Sequence, residues 1–433
     1  MKIIRKAFPL FFVLTLCLSL FACGEIPAVT TAGTNPPENT TVSGTQADTV
    51  DIETLRTGNW NTCIKGVDWN HFIYAEGGFY YQNNGFLHFF DPNSRIDVTL
   101  CQKAGCPHEK GDPRKDWKYC EASINMNAIL CYEGGYLYYD KEDHGQHLYR
   151  RDPDGTAETY IATLWKDHAG QFHDIQVQNY LLSDGFLYYT ISVSGGELDT
   201  EGTLVVEELY QALLRMDLAT GKEEELLRVT DTNLGLIAAK KDAVLYTTME
   251  YKHISAVPNG QDRLEAMFNT PKHVLLWTEE ANTSQEILCK LYREFPGADS
   301  FEYGKVTVRS LDTDYTYDLI TGEYQLLPLP EGTKLNGQYR LRSDGSAIYD
   351  VQTGEDLPNE FVEKCPAEFV KVDFRCVTTS DNGIIMERQY YADDGSQWLQ
   401  IAKSYTFYVS FDSLADGLQI ADATDFKFWP YEE

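Results

Sequence analysis

The chain has 433 residues and a formal net charge of −30, with 36 Lys+Arg against 66 Asp+Glu. Such an acidic surface repels phosphate, which argues against nucleic acid and anionic lipid head groups as partners and fits a role for the charge in solubility or weak calcium binding.

The first 22 residues divide into three parts. Lys2, Arg5 and Lys6 make a basic start, residues 7–20 (AFPLFFVLTLCLSL) are almost wholly apolar, and Phe21-Ala22 leads to Cys23. This is the pattern of a secretory signal. Its apolar run is shorter than the roughly 20 residues of a spanning helix, and Pro9 shortens the helical part further. The ending Leu20-Phe21-Ala22-Cys23-Gly24 resembles a lipobox, the processing signal of bacterial lipoproteins. The resemblance implies cleavage before Cys23 and a diacylglycerol on its thiol, hence an extracytoplasmic protein held to the cell membrane by lipid. Cleavage removes three positive charges and no negative one, taking the net charge from −30 to −33.

Residues 23–50 form a tether rich in Thr, Gly, Pro, Asn and Ser and without an aromatic residue. It cannot bury enough surface to offset its ordering entropy and is expected to be disordered, with a mean reach of roughly 30 Å. Residues 51–433 are the folded domain. That is longer than a usual single core of roughly 250–300 residues, unless many small cores repeat.

A repeat is visible. Gly78-Phe79-Tyr80-Tyr81 leads to Phe86-Leu87-His88-Phe89-Phe90-Asp91. Gly135-Tyr136-Leu137-Tyr138-Tyr139 leads to His147-Leu148-Tyr149 and an Asp152-Pro153-Asp154-Gly155 turn. Gly185-Phe186-Leu187-Tyr188-Tyr189 leads to Leu213-Leu214-Arg215-Met216 and Asp217-Leu218-Ala219-Thr220-Gly221. Weaker copies follow at Ala243–Tyr246, Tyr317–Gly322 and Ile348–Gly354. Alternating aromatic and aliphatic runs between Gly/Asp turns predict antiparallel strands, and Asp-x-x-Thr-Gly predicts a tight hairpin turn. The segment Glu207–Ala212 reads as the start of the strand that continues through Leu213. Strand repeats of roughly 50 residues predict a β-propeller, all-β, of about seven blades with six to eight allowed. A pair of β-sandwiches is the competing fold.

Between the first two repeats lies Cys101-x₄-Cys106-Pro107-His108, followed by Cys120. Three thiols and an imidazole make a ligand set for zinc, which takes four N/S donors in a tetrahedron. A disulfide, Cys106–Cys120 or Cys101–Cys120, is the leading reading ahead of the metal for an exported chain in which eight cysteines remain after Cys17 and Cys23 are set aside, and free thiols are the third. Around this motif, Leu100-Cys101-x₄-Cys106-Pro107-His108, Cys120-x-Ala122 and Tyr132-Glu133-Gly134-Gly135-Tyr136-Leu137-Tyr138-Tyr139 resemble a group of Firmicutes surface lipoproteins with a TolB-like β-propeller domain of unknown function. The match covers about residues 77–155. It implies a propeller and surface attachment, and it carries over no catalytic residue.

Later candidates are weaker. His168 and His173-Asp174 could orient a base, but no nucleophile motif accompanies them. Asp312, Asp314 and Asp318, or Asp393 and Asp394, supply too few carboxylates for calcium without further donors. Glu223-Glu224-Glu225 reads as an exposed edge. Cys365 and Cys376, eleven apart around Phe369–Val372, could close a disulfide across a hairpin. The leading expectation for function is a non-catalytic module that binds an extracellular ligand or protein at the propeller's central mouth. An extracytoplasmic enzyme acting on glycans or peptides, and a metal- or redox-responsive sensor, are the alternatives.

Overall fold

The computed structural model describes residues 50–62, 72–83, 85–106, 120–124, 129–142, 146–168, 174–198, 204–257, 260–309, 314–326, 333–342, 345–392 and 400–426. Cys23, Cys63, His108, His173, Asp312, Asp393 and Asp394 lie outside them. No helix among the described residues is long and apolar enough to cross a membrane.

The described strands form seven antiparallel sheets, each made of consecutive strands in meander order. We number them I (72–99), II (130–163), III (174–229), IV (232–291), V (298–326), VI (333–358) and VII (371–425). Turn chemistry fixes the hairpins. Asp217 accepts amide bonds from Ala219 and Thr220, Asp318 from Ile320 and Thr321, and Asp350 from Gln352 and Thr353. In each turn the following glycine (Gly221, Gly322, Gly354) has positive φ, 68°, 74° and 75°, a conformation that costs a residue with a Cβ. Three Asp-x-x-Thr-Gly runs therefore make one turn three times. Asp318 is thereby committed to its turn: burial pushes its carboxyl pKa up, but the two amide donors outweigh this and hold it low.

Sheets I to V pack face to face, each on the next, as do sheets VI and VII. Tyr80 and Leu87 of sheet I share a core with Leu130 and Leu137 of sheet II. Leu148 of sheet II packs with Leu187 and Leu214 of sheet III, and Tyr188 and Leu213 of sheet III pack with Val244 and Trp277 of sheet IV. Leu245 and Leu276 meet Phe301 and Val306 of sheet V, and Leu341 and Ile348 of sheet VI meet Ile384 and Phe407 of sheet VII. The ring closes where Phe72, Phe79, Tyr81 and Phe90 of sheet I pack with Ile385, Tyr408 and Phe426 at sheet VII. Radially repeated sheets whose last member packs on the first are a β-propeller.

The first strands of sheets VII, I, II, III, IV and V lie against one another in succession, so they line the axis. One further strand, Asn61–Thr62, pairs with the first strand of sheet IV on that axial side. Leu55 is fully buried in the core between sheets IV and V, Asn61 donates to the Leu182 carbonyl at 2.8 Å, and Lys240 reaches the carbonyls of Thr54 and Thr57. Residues 50–62 thus occupy part of the central opening.

Two elements differ from the sequence reading. Helices α1 (Lys252–Ser255) and α2 (Gly260–Phe268) interrupt sheet IV between the strands Ala243–Glu250 and Pro271–Thr278. The strand Leu204–Asp217, by contrast, starts before Glu207 as expected.

Candidate functional site

The cluster Cys101, Cys106 and Cys120 is assembled by three pieces of chain. Leu100 donates its amide to the Leu87 carbonyl, which carries the chain off the edge of sheet I towards Cys101. A turn then returns it: the Cys106 amide bonds to the Lys103 carbonyl at 3.2 Å, with Gly105 at φ 72°. The segment 120–124 is strapped across a hairpin of sheet I, with Leu87 donating to the Ala122 carbonyl at 2.7 Å and Ile124 to the Gly85 carbonyl at 2.9 Å. The three Sγ atoms end within 4.8 Å of one another, although Cys101 and Cys120 are 19 residues apart. Zinc with Zn–S bonds of about 2.3 Å would hold thiolate sulfurs about 3.8 Å apart, which this cluster accommodates. All three cysteines are free of disulfides.

Arg151 of sheet II braces the cluster from below. Its side chain is 2% exposed, and its guanidinium donates to the carbonyls of Leu100, Glu121 and Gly155. The Gln102 amide donates to the Glu121 carboxylate at 3.2 Å, and the Gln102 side chain to the Asp154 carbonyl at 3.0 Å. Both cysteine-bearing segments are therefore held by bonds that do not involve sulfur.

The thiols are electrostatically unequal. Burial pushes the Cys101 thiol pKa up, but the amides of Lys103 and Glu121 point at its sulfur and bring it below the ordinary value. Burial holds the Cys120 thiol well above its ordinary value. Amide donors on a buried sulfur stabilise the thiolate, the form that binds metal and attacks disulfides.

Beside the cluster an open groove of about 480 Å³ lies between sheets I and II, lined by Glu76, Tyr80, Phe89, Leu100, Asp152 and Asp154. Tyr132 donates to the Glu76 carboxylate across the sheets, which pushes the Tyr132 pKa up to about 12. Burial, with Glu76 nearby, pushes Tyr80 up to about 12 as well. Asp154 is held low by the hydroxyl and amide of Thr156, so it stays charged. The groove is aromatic at its walls and anionic at its rim.

The other sequence candidates are dispersed. His168 is buried, with Nδ1 3.1 Å from the Tyr210 hydroxyl. The run Glu223–Glu225 lies on the edge strand of sheet III as expected, with Glu225 exposed and Glu223 and Glu224 half-buried by their partners. Glu223 accepts from Tyr189 and from the Trp165 amide, Glu224 pairs with Arg215, and Glu225 with Arg228. Cys365 and Cys376 are not joined. No hairpin lies between them: Cys376 sits within the strand Lys371–Thr379, opposite Met386, and Cys365 precedes that strand.

No family model matches the chain, and no curated protein matches it. Among solved structures it is similar to dipeptidyl peptidase 4 of Porphyromonas gingivalis (11% identity, 82% of this chain and 50% of that one, TM-score 0.38). It is similar to the acylaminoacyl peptidase of Pyrococcus horikoshii (9% identity, 83% and 59%, TM-score 0.41) and to TolB of Acinetobacter baumannii (14% identity, 77% and 81%, TM-score 0.26). The chain spans half the length of the first of these and 59% of the second.

Proposed function

We propose that the protein is an extracytoplasmic propeller, anchored through lipid on Cys23, that binds a ligand or partner protein without turning it over. Its recognition surface is the groove between sheets I and II, stiffened by a zinc ion held through Cys101, Cys106, Cys120 and His108. The observation that supports this best is the convergence of three unbonded thiols on a loop braced by Arg151, directly beside an aromatic and acidic groove. The central mouth is the weaker place for a ligand, because residues 50–62 partly fill it. Charged rims and aromatic walls suit a cationic peptide, whose ammonium or guanidinium groups would meet Glu76, Asp152 and Asp154.

Metal analysis of the purified mature chain tests the zinc. One equivalent that is lost in Cys101→Ser and Cys120→Ser supports it; thiols that react freely without a chelator, in a metal-free protein, would remove it. A peptide and glycan screen tests the binding. Saturable binding without turnover is expected, weakened by Glu76→Gln, whereas turnover abolished by one acidic substitution would make the protein an enzyme.

A second reading rests on the unequal thiols. A Cys101 thiol shifted towards its thiolate, beside a Cys120 thiol shifted the other way, is suited to form a disulfide when a two-electron oxidant such as a peroxide or another disulfide accepts the electrons, with Cys106 as the third partner. A mass short by two hydrogens, with no metal, would favour this redox-responsive form.

A further inference from the structure

A second group of metal-binding side chains stands on sheet IV, away from the thiol cluster. In the antiparallel pair Pro271–Thr278 and Thr283–Leu291, His273 lies directly opposite Cys289, so both side chains leave the sheet on one face. Regular pairing would next bring Ile287 to that face, opposite Leu275. The register shifts instead: Val274 faces Leu288 and Leu275 faces Glu286. The extra residue, Ile287, packs into the core between sheets IV and V with Val274 and Leu288. Glu286 is thereby turned out beside His273, its Oε2 2.7 Å from Nδ1. A bulge that re-aims a side chain in this way is a recurrent device at functional sites. One donor atom from each of His273, Glu286 and Cys289 lies within 4.8 Å of the others.

An imidazole nitrogen, a carboxylate oxygen and a sulfur together match a borderline divalent cation rather than calcium or magnesium, which take oxygen. Bonds of about 2.0–2.3 Å to zinc place tetrahedral donors roughly 3.3–3.8 Å apart, within the span of this trio. The face is open: the side chain of His273 is 36% exposed and that of Glu286 53%. We infer that His273, Glu286 and Cys289 form a transition-metal site of the zinc class, with its fourth position open to water or to one donor from another molecule. Three protein ligands with one open position distinguish it from the closed four-ligand set proposed around Cys101. A mere His–Glu ion pair would not need Cys289 beside it.

Cobalt(II) is the probe, titrated into the mature lipidated chain in detergent, because thiolate ligation gives an intense charge-transfer absorption. The expected result is one equivalent lost in His273→Ala and retained in Cys101→Ser. In Cys289→Ser that equivalent loses its charge-transfer intensity and binds at least tenfold more weakly. These are surface substitutions, and unchanged thermal unfolding of the metal-free variants confirms that they fold. If His273→Ala and Cys289→Ser both keep the stoichiometry and spectrum of the wild type, the site does not exist. Loss of cobalt in Cys101→Ser alone would support only the thiol site, so the two fail separately.

Discussion

Arg151 donates to the backbone carbonyl of Glu121 at 2.9 Å, one residue beyond Cys120. The same guanidinium serves Leu100, one residue before Cys101, and Gly155 in its own turn. This buried cation, joined to three carbonyls, ties the two segments that carry Cys101 and Cys120 to sheet II. Arg151→Met would keep most of the volume but leave buried carbonyls unpaired. It is expected to destabilise the protein by about 2–4 kcal/mol and to weaken zinc retention. Arg151→Lys should rescue little of this, because one ammonium cannot span the three acceptors. Urea unfolding together with metal content checks both.

If zinc ties Cys101, Cys106 and Cys120 together, it stabilises the folded state by mass action. A strong chelator is then expected to lower the thermal midpoint of the wild type by about 5 °C. Cys120→Ser should begin at the lower midpoint and ignore the chelator. Equal chelator responses in the two proteins would show that the metal binds elsewhere.

The features legible in the sequence are those whose chemistry is local. Asp217, Thr220 and Gly221 carry a complete turn within five residues, so the hairpins of sheets III, V and VI could be read from Asp-x-x-Thr-Gly alone. The thiol cluster was visible as a group, although its bracing by Arg151 was not, because that bond joins residues 30 apart. His273, Glu286 and Cys289 escaped notice for a sharper reason. Strict period 2 places Ile287 with Cys289, and only the bulge brings in Glu286. The axial segment was missed because a strand of two residues, Asn61–Thr62, has no periodicity to detect. Cys365 and Cys376 stay unjoined because the strand beginning at Lys371 pairs onward with Gly383–Ala392 and not back towards Cys365.

The ring is closed by side chains rather than by a shared strand, since sheets I and VII each draw all their strands from one end of the folded domain. Phe426 sits in that seam, 5% exposed, with its ring 4.7 Å from Phe90 and 5.1 Å from Phe72. Phe426→Ala is expected to cost about 3 kcal/mol and to speed hydrogen exchange first in sheets I and VII. A uniform loss of protection across all sheets would argue against a local seam.

Lys240 is 8% exposed and joins the axial segment to sheet IV through the carbonyls of Thr54 and Thr57, with its ammonium 5.4 Å from the centre of the Trp60 ring. Lys240→Met removes these bonds while filling the same space. Limited proteolysis should then cleave within residues 50–62 at least tenfold faster, with sheets I–III unaffected. Unchanged cleavage would mean that Leu55, Asn61 and the pairing with sheet IV hold the segment without Lys240.

His168 gives the stability a pH signature. Burial lowers its pKa from the ordinary 6.5, and this outweighs the nearby Glu225 carboxylate, which raises it. Its Nε2 lies 3.6 Å from Glu225 and its Nδ1 3.1 Å from the Tyr210 hydroxyl. Between the lowered folded value and 6.5, the unfolded chain binds a proton that the folded protein does not. Stability from this group is therefore fully present above pH 6.5 and falls as the pH drops from there through the folded value. Above pH 6.5 neither state takes up the proton and the contribution is flat. His168→Gln cannot take up that proton, so its unfolding midpoint should fall less steeply with acid in this window than that of the wild type. Parallel curves for the two proteins below pH 6.5 would place the titrating group elsewhere.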